Sequence, residues 1–206
     1  MKILIDPAHG KDVAGKRSPD GRLREYKYSR EICNEVISRL RAEGYDAELT
    51  TTGENEIGLT RRANIVNTVC GKLGIKNVCM VSIHVNAAGN GDWRKASYWC
   101  AFTSKGQTQG DKLADCLYDA AENVLPPLFP DVPKNKLIST DLSDKDRDHE
   151  SNFTVIYKTK CAACLTENFF MDNKADVDWL LSPCGRDTIV RLHVEGIKKY
   201  VEKYGK

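Results

Sequence analysis

Short apolar runs alternate along this chain with stretches in which apolar residues recur every three or four positions. The runs predict β-strands, and the recurring stretches predict amphipathic α-helices. Their alternation is typical of an α/β protein, so we predict one three-layer α/β/α domain over residues 1–206, with a mostly parallel or mixed sheet of about six strands. The predicted strands cover 2–6, 46–51, 77–84, 96–103, 153–158 and 162–167.

One strand is expected at the centre of the sheet. Residues 78–83 are apolar at every position except Ser82. A strand buried on both faces has this continuous apolar pattern, whereas a half-exposed strand alternates between apolar and polar residues. The strand at 77–84 is therefore predicted to be central.

The first helix carries an acidic residue on its apolar side. Tyr28, Ile32 and Leu40 recur at helical spacing, and Gly44 predicts the end of the helix. Glu25 extends the same stripe one turn upstream, which directs a carboxylate inward at a helix start, where the helix dipole favours negative charge. A buried carboxylate needs a partner, and a metal ion is one. Further helices are predicted over 57–73, 111–125, 175–181 and 186–204.

Two long connections are predicted to lie at the surface. Four prolines and a charged tract predict a loop with little regular structure over 126–150. A second loop, 85–95, is rich in Gly, Asn and Asp and follows His84 directly. Either loop can border a cleft.

Composition narrows the classes of function. The 31 Lys and Arg residues nearly balance the 29 Asp and Glu residues, and the net charge is +2. No long basic run is present, so we predict no nucleic-acid partner and no anionic membrane surface. An apolar fraction of 41% and a mean hydropathy of −0.47 exclude a disordered chain and a membrane span.

The start of the chain indicates the compartment in which the protein is made. The first apolar run, 3–5, is too short for a signal-peptide core, so we predict synthesis in the cytoplasm.

Eight cysteines in 206 residues are fewer than a disulfide scaffold has. Cys161 and Cys164 form a CxxC pair, but without a second such pair we favour core packing over a zinc or redox site. Three positions apart on a strand, they are expected to face opposite sides.

Four residues form a candidate metal site. His9 and His84 each follow or end a predicted strand, and ligands of open α/β sheets bind at the carboxyl ends of strands. Two His and one Glu with an open position make a ligand set known for catalytic zinc, and a further Glu serves as proton acceptor. Glu25 and Glu167 supply these carboxylates. Their spacing is no compact metal signature, however, so a turn histidine, a core histidine, a helix-start acid and a surface acid remain alternatives.

Four segments resemble the zinc-dependent N-acetylmuramoyl-L-alanine amidases. They are Ile-Asp-Pro-Ala-His-Gly at 5–10, Glu25, Ser-Ile-His-Val-Asn at 82–86 and Leu-Thr-Glu-Asn-Phe-Phe-Met-Asp-Asn at 165–173, and they occur in the family's order. The resemblance implies that His9, Glu25 and His84 bind Zn²⁺ and that Glu167 is the catalytic carboxylate. It further implies hydrolysis of the amide bond between the lactyl group of N-acetylmuramic acid and L-alanine in peptidoglycan.

The resemblance extends over nearly the whole chain, which predicts one catalytic domain and no separate wall-binding domain. Segment 167–173 is similar to phage endolysins of this family, which implies release to the wall after synthesis, and export by another route stays an alternative. The family usually has Gly where this chain has Ala8, and residues 95–98 depart from its Gly-Val-Glu stretch. His149 and His193 match no family ligand.

Two other functions and a different metal stay open at this stage. A peptidoglycan-binding module can keep the fold without turnover, and a zinc peptidase can use the same ligands on stem peptides. Manganese or another divalent ion can occupy such a site. A monomer is favoured, although no sequence feature fixes the oligomeric state.

Overall fold

The computed structural model describes residues 1–205 and has an α/β fold with six strands and seven helices. The strands are β1 (Lys2–Pro7), β2 (Asp46–Leu49), β3 (Val78–Asn86), β4 (Trp99–Thr103), β5 (His149–Glu150) and β6 (Ala162–Phe170). The helices are α1 (Glu25–Ala42), α2 (Leu59–Leu73), α3 (Gln109–Val124), α4 (Lys134–Leu137), α5 (Thr154–Tyr157), α6 (Lys174–Leu181) and α7 (Pro183–Tyr204). The predicted fold class is confirmed.

The six strands form one mixed sheet in the order β2-β1-β3-β6-β4-β5. Strands β2, β1, β3 and β6 are parallel, whereas β4 is antiparallel to β6 and β5 is parallel to β4. Residues 78–83 are all buried, and β3 lies between β1 and β6. The prediction of a central strand is therefore confirmed.

Helices cover both faces of the sheet. Helices α1, α3 and α7 pack together on one face, and α2 and α5 pack together on the other. Cys164 belongs to the first core and Cys161 to the second, so the two thiols face opposite sides as predicted. All eight cysteines are free, and seven of them are buried. None of the helices described is long and apolar enough to cross a membrane.

Helix α1 follows the predicted apolar stripe. Glu25, Tyr28, Ile32 and Leu40 are all at most 2% exposed. The helix ends just before Gly44, which has a φ of +86°. This left-handed conformation is the usual helix stop and favours glycine because other residues meet steric strain there.

Two local predictions were wrong. Segment 153–158 is not a strand, because it contains the single helical turn α5. Its adjacent residues Val155 and Ile156 are both buried against α2, and a turn of helix places neighbouring side chains there more readily than a strand, whose neighbours point to opposite faces. The sixth strand is instead β5, which lies within the predicted loop 126–150. Its two residues are too few to show a periodicity.

His193 is a core histidine. It is fully buried on α7, with Nδ1 2.7 Å from the carbonyl oxygen of Ile189 and Nε2 2.9 Å from Oγ1 of Thr166. A carbonyl oxygen only accepts, so Nδ1 donates to it and Nε2 accepts from the Thr166 hydroxyl. Burial lowers the pKa of His193 to about 4.

This neutral imidazole predicts a loss of stability in acid. Because the folded pKa lies below the ordinary value of 6.5, the unfolded chain binds a proton more readily, and stability is lost as the pH falls from about 6.5 to about 4. We expect metal-free protein to lose roughly 2–3 kcal/mol more than a His193→Gln variant between neutral pH and the lower end of that window. Urea unfolding of both proteins at two pH values measures this difference, and an equal loss in both would contradict the assignment.

Candidate metal centre and active site

Neighbouring strands bring two of the four candidate residues side by side. His84 on β3 is the register partner of Glu167 on the adjacent parallel strand β6. Side chains at paired positions of adjacent strands point to the same face, and neighbouring strands lie about 4.8 Å apart. Strand β1, on the other side of β3, ends two residues before His9. The side chains of His9, His84 and Glu167 therefore lie near the carboxyl ends of three neighbouring strands.

His9 lies in a tight turn of strained backbone. Its φ of +47° is in the left-handed region. Residues other than glycine adopt this conformation rarely, and those that do cluster at functional sites. A Cβ atom on the following Gly10 would lie 2.0 Å from the backbone nitrogen of Glu56, so only glycine fits there. The close approach to segment 54–56 fixes the turn and directs the imidazole of His9 toward α1.

Glu25, the first residue of α1, joins the two histidines. Its side chain is 1% exposed, and its Oε1 accepts a hydrogen bond from the backbone N–H of Val85 at 3.1 Å. Oε1 lies 3.0 Å from Nδ1 of His84, and Oε2 lies 3.4 Å from Nε2 of His9. One donor atom from each of these three residues lies within 4.8 Å of the other two. The predicted inward direction of the Glu25 carboxylate is confirmed.

The pKa values of the two histidines are shifted in opposite directions. Burial opposes the charged form of His84, but the hydrogen bond and charge of Glu25 outweigh it and raise the pKa of His84 above its ordinary value, so a cation bound there displaces a proton. Burial lowers the pKa of His9 to about 4, which leaves a free imidazole lone pair at neutral pH. Burial opposes ionisation of Glu25 as well, but the hydrogen bond and charge of His84 lower its pKa below the ordinary value. Glu25 Oε2 has no hydrogen-bond partner among residues 1–205. Two imidazoles and an unsatisfied carboxylate oxygen fit Zn²⁺, which binds nitrogen and carboxylate ligands with an open fourth position at catalytic sites.

Glu167 has a different environment from Glu25. Burial chiefly, and the Glu25 charge secondarily, raise the pKa of Glu167 to about 8, against the opposing charge of His84. Its Oε2 is buried and has no hydrogen-bond partner within the described chain. This carboxyl group therefore lies beside His84 on the neighbouring strand, with one oxygen that no described residue engages.

A buried ion pair supports the turn that holds His9. Asp6 accepts hydrogen bonds from the hydroxyls of Thr50 at 2.5 Å and Ser82 at 2.7 Å, and from Arg62 at 3.1 Å. Arg62 also donates to the carbonyl oxygen of Pro7 and pairs with Glu56 at 3.1 Å. One side chain thus connects the end of β1 to the segment against which Gly10 packs.

Asn168 fixes the backbone at His84. Its Nδ2 donates to the carbonyl oxygen of His84 at 2.8 Å, and its Oδ1 accepts from Nε1 of Trp99 at 3.0 Å. The next residue, Phe169, has a φ of +60°, and the pairing of β3 with β6 shifts register between His84 and Asn86. This bulge ends the regular ladder beside the candidate ligands, as bulges near active sites often do.

A cleft of about 460 Å³ opens beyond the ends of β3 and β6. One wall is formed by residues 14–19, and the other by Ala87, residues 89–91, Met171 and Asp172. Oδ2 of Asp172 accepts from the backbone N–H groups of Ala88 at 2.9 Å and Gly89 at 2.8 Å. Asp172 therefore holds loop 87–91 against the end of β6.

The sequence did not predict several of these supporting residues. Arg62 carried a usable signal, because it precedes Val66 and Cys70 on the buried stripe of α2, as Glu25 precedes the stripe of α1. Asn168 and Asp172 lie in segment 165–173, which resembles the family, but no local pattern indicated their roles, since their partners lie 69 to 84 residues away along the chain. His149 lies on β5, where its Nε2 is 3.0 Å from the Ser139 hydroxyl, and neither it nor His193 is among the candidate ligands.

A family model and a known protein that match this chain both belong to one family. A family model described as N-acetylmuramoyl-L-alanine amidase (Amidase_3) matches residues 3–199. N-acetylmuramoyl-L-alanine amidase CwlM of Bacillus licheniformis is 26% identical over 202 residues, which cover 97% of this chain and 68% of that protein.

Solved structures show the same fold. An N-acetylmuramoyl-L-alanine amidase from Clostridium difficile 630 superposes with a TM-score of 0.77 at 22% identity, covering 99% of this chain and 98% of that one. The catalytic domain of the CD27L endolysin superposes with a TM-score of 0.61 at 19% identity, covering 97% of each chain.

Proposed function

Because the chain belongs to the Amidase_3 family of N-acetylmuramoyl-L-alanine amidases, we propose that it is a zinc-dependent peptidoglycan hydrolase. Its substrate bond is the amide between the lactyl group of N-acetylmuramic acid and L-alanine of the stem peptide. The observation that carries this proposal is the convergence of His9, Glu25 and His84 within 4.8 Å, with Glu167 on the neighbouring strand.

We assign the metal to the three residues that converge. His9 and His84 supply one ring nitrogen each, and Glu25 supplies its unsatisfied Oε2. When bound, the ion supplies Lewis acidity that polarises an amide carbonyl and makes water a stronger acid. The hydrogen bond from Val85 to Oε1 of Glu25 holds the carboxylate in orientation, since groups around the ligands commonly fix their geometry.

Glu167 moves the protons of the reaction. In its ionised form it accepts a proton from the attacking water, whose oxygen forms the new bond to the carbonyl carbon. It returns that proton to the nitrogen of L-alanine as the carbon–nitrogen bond breaks. The products are a lactyl carboxylate and a stem peptide with a free amine.

The cleft accommodates the muramoyl peptide along the ends of β3 and β6. We expect Asp172→Ala to release loop 87–91, because this carboxylate accepts two backbone N–H groups of the loop. KM should rise roughly tenfold, the scale of one or two lost hydrogen bonds to a charged acceptor, while zinc content stays unchanged. Steady-state kinetics on a soluble muramoyl peptide measures this, with Asp172→Asn as the variant that retains an acceptor. A kcat loss without a KM change would contradict a positioning role.

Product analysis tests the proposed function. Purified peptidoglycan is digested with the protein, with chelator and with zinc restored, and the products are identified by mass spectrometry. We expect intact stem peptides that begin at L-alanine, lost with chelator and recovered with zinc. Cuts within the stem peptide would show a peptidase instead, and no cleavage by zinc-loaded protein would show a binding module.

The whole chain is proposed to act as one catalytic domain on the cell wall, since the family match spans residues 3–199. Its synthesis in the cytoplasm with later release, and its monomeric state, stay predictions from the sequence.

A further inference from the structure

One wall of the cleft beside the candidate active site is basic. Three charged residues line this cleft, with Lys16 and Arg17 on one wall and Asp172 on the other. Oδ2 of Asp172 already accepts two backbone N–H groups of loop 87–91. Lys16 and Arg17, by contrast, are exposed. The wall formed by residues 14–19 therefore presents a surplus of positive charge to the cleft.

The chain itself does not neutralise this wall. Three other basic residues of segment 11–27 are paired with acids, as Lys11–Glu54 at 3.2 Å, Arg22–Asp20 at 2.6 Å and Lys27–Glu31 at 4.0 Å. Within residues 1–205, neither Lys16 nor Arg17 forms an ion pair with an acidic side chain. Clefts lined by one sign of charge concentrate ligands of the opposite sign, because their walls of low dielectric constant focus the field. An anionic group is therefore the complementary ligand of this wall.

The backbone of Lys16 is fixed next to a candidate metal ligand. Its carbonyl oxygen accepts a hydrogen bond from the backbone N–H of Glu25 at 3.0 Å. The following residue, Arg17, forms an antiparallel bridge with Arg24, which immediately precedes Glu25. The basic wall is thus held against the residues that lead into α1, and the Lys16 side chain begins one hydrogen bond away from the candidate metal site.

The charge of Lys16 acts on the candidate active site. Burial lowers the pKa of His9 and raises that of Glu167, and the Lys16 charge lowers the pKa of both groups. Interactions between charges weaken with distance, and salt screens those of exposed groups beyond about 8–10 Å. This influence agrees with the position that the cleft lining and the Glu25 contact give to Lys16.

The peptide side of the substrate supplies the anion, and this step rests on the proposed function. When the lactyl carboxyl of N-acetylmuramic acid is bound in the amide, the sugar carries no charge, whereas the stem peptide carries free carboxyl groups. An extended residue spans about 3.3–3.6 Å, so the residue after L-alanine lies close to the bond that is cleaved. The long side chain of a lysine beside Glu25 extends over that distance.

We propose that Lys16 binds a carboxylate of the stem-peptide residue that follows L-alanine. The protein then prefers stem peptides in which this residue is ionised over those in which it is amidated. Arg17 adds to the positive charge of the same wall, and Asp172 on the opposite wall repels a carboxylate toward Lys16. Lys16 is thus a specificity-determining residue, distinct from the candidate metal ligands and from Glu167.

A pair of muramoyl dipeptides tests this preference. One carries glutamate with free carboxyl groups after L-alanine, and the other is its diamide. We expect kcat/KM of the unchanged protein to be roughly tenfold higher for the acid, the scale of one hydrogen bond to a charged group. Lys16→Gln should abolish the preference by raising KM for the acid, with kcat and the rates on the diamide unchanged. Lys16→Arg should retain most of the preference, since it keeps the charge.

Lys11→Gln is the matched control, because it removes the same charge from the same segment. Lys11 pairs with Glu54 and does not line the cleft, so the preference should be preserved. Equal losses on acid and diamide in Lys16→Gln would show that Lys16 acts through the charge of Glu167, and would overturn the proposal. A loss of preference in Lys11→Gln as large as in Lys16→Gln would overturn it as well.

A binding measurement separates this proposal from the proposed function. Isothermal titration of zinc-loaded Glu167→Gln with the acid and with the diamide gives the preference without turnover. If the unchanged protein cleaves neither compound, the proposed function is wrong, and the titration still decides the role of Lys16. We expect roughly tenfold tighter binding of the acid, lost when Lys16→Gln is added. Equal affinity for the two compounds would exclude a carboxylate subsite at Lys16.

Discussion

Replacing Glu167 with glutamine is expected to lower kcat by roughly 10²–10⁴-fold, the usual contribution of a positioned proton carrier. Glutamine has nearly the same shape but cannot accept and return a proton. The metal should stay bound, because Glu167 is not among the three residues that converge on the candidate metal position. The measurement pairs single-turnover cleavage of a muramoyl peptide with zinc content determined on the same preparation.

Glu56→Gln is a suitable control for this variant. Glu56 is another partly buried acid near the candidate active site, but it pairs with Arg62 and is not a candidate ligand. A moderate effect on stability with kcat preserved is expected, because Arg62 keeps its contacts with Asp6 and Pro7. If Glu167→Gln loses zinc as well as turnover, the role assigned to Glu167 is wrong.

Removal of a candidate ligand is expected to lower zinc binding together with activity, whereas Glu167→Gln should lower activity alone. His9→Ala, Glu25→Gln and His84→Ala should each weaken zinc binding by roughly 10³-fold or more, since each removes one of only three protein donors. Activity should fall with metal content and recover in part at high zinc concentration. Isothermal titration of metal-free protein with zinc measures the affinity directly.

His149→Ala separates loss of a ligand from loss of any histidine. The His149 ring contacts Ser139, in the connection between α4 and β5, and Phe102 on β4, so zinc affinity should not change. Equal zinc loss in His149→Ala and His84→Ala would exclude the assigned ligand set. Circular dichroism of each variant confirms that the fold is retained.

The sequence predicts the parts of this fold that local patterns encode. The continuous apolar run of β3 gives its central position, and the stripe that begins at Glu25 gives both α1 and the inward carboxylate. Tertiary context determines the rest. The pairing of β5 with β4 involves two residues per strand, and a single turn of helix such as α5 is too short for its period to be read.

In the candidate site, too, some residues could be predicted from local sequence and others depend on tertiary contacts. His9, Glu25, His84 and Glu167 are candidates because of their positions at strand ends and at a helix start, and the resemblance of the segments around them to a family implies their roles. The structure brings the first three together. The Asp172 contacts with loop 87–91 and the Asn168 contact with His84 join segments about 80 residues apart, so no local pattern encodes them. Arg62 could have been found by the reasoning that located Glu25.

The distribution of thiols has a consequence for chemical labelling. Seven cysteines are buried, six of them in the two cores, and burial raises the pKa of Cys33, Cys79 and Cys100, so these side chains stay protonated and poorly nucleophilic. Cys184, in the first turn of α7, is the exposed one. An alkylating reagent therefore attaches one fluorophore at a defined position on the native protein. The other seven cysteines react only when the protein unfolds locally or globally, so their rate of modification measures the rate of that opening.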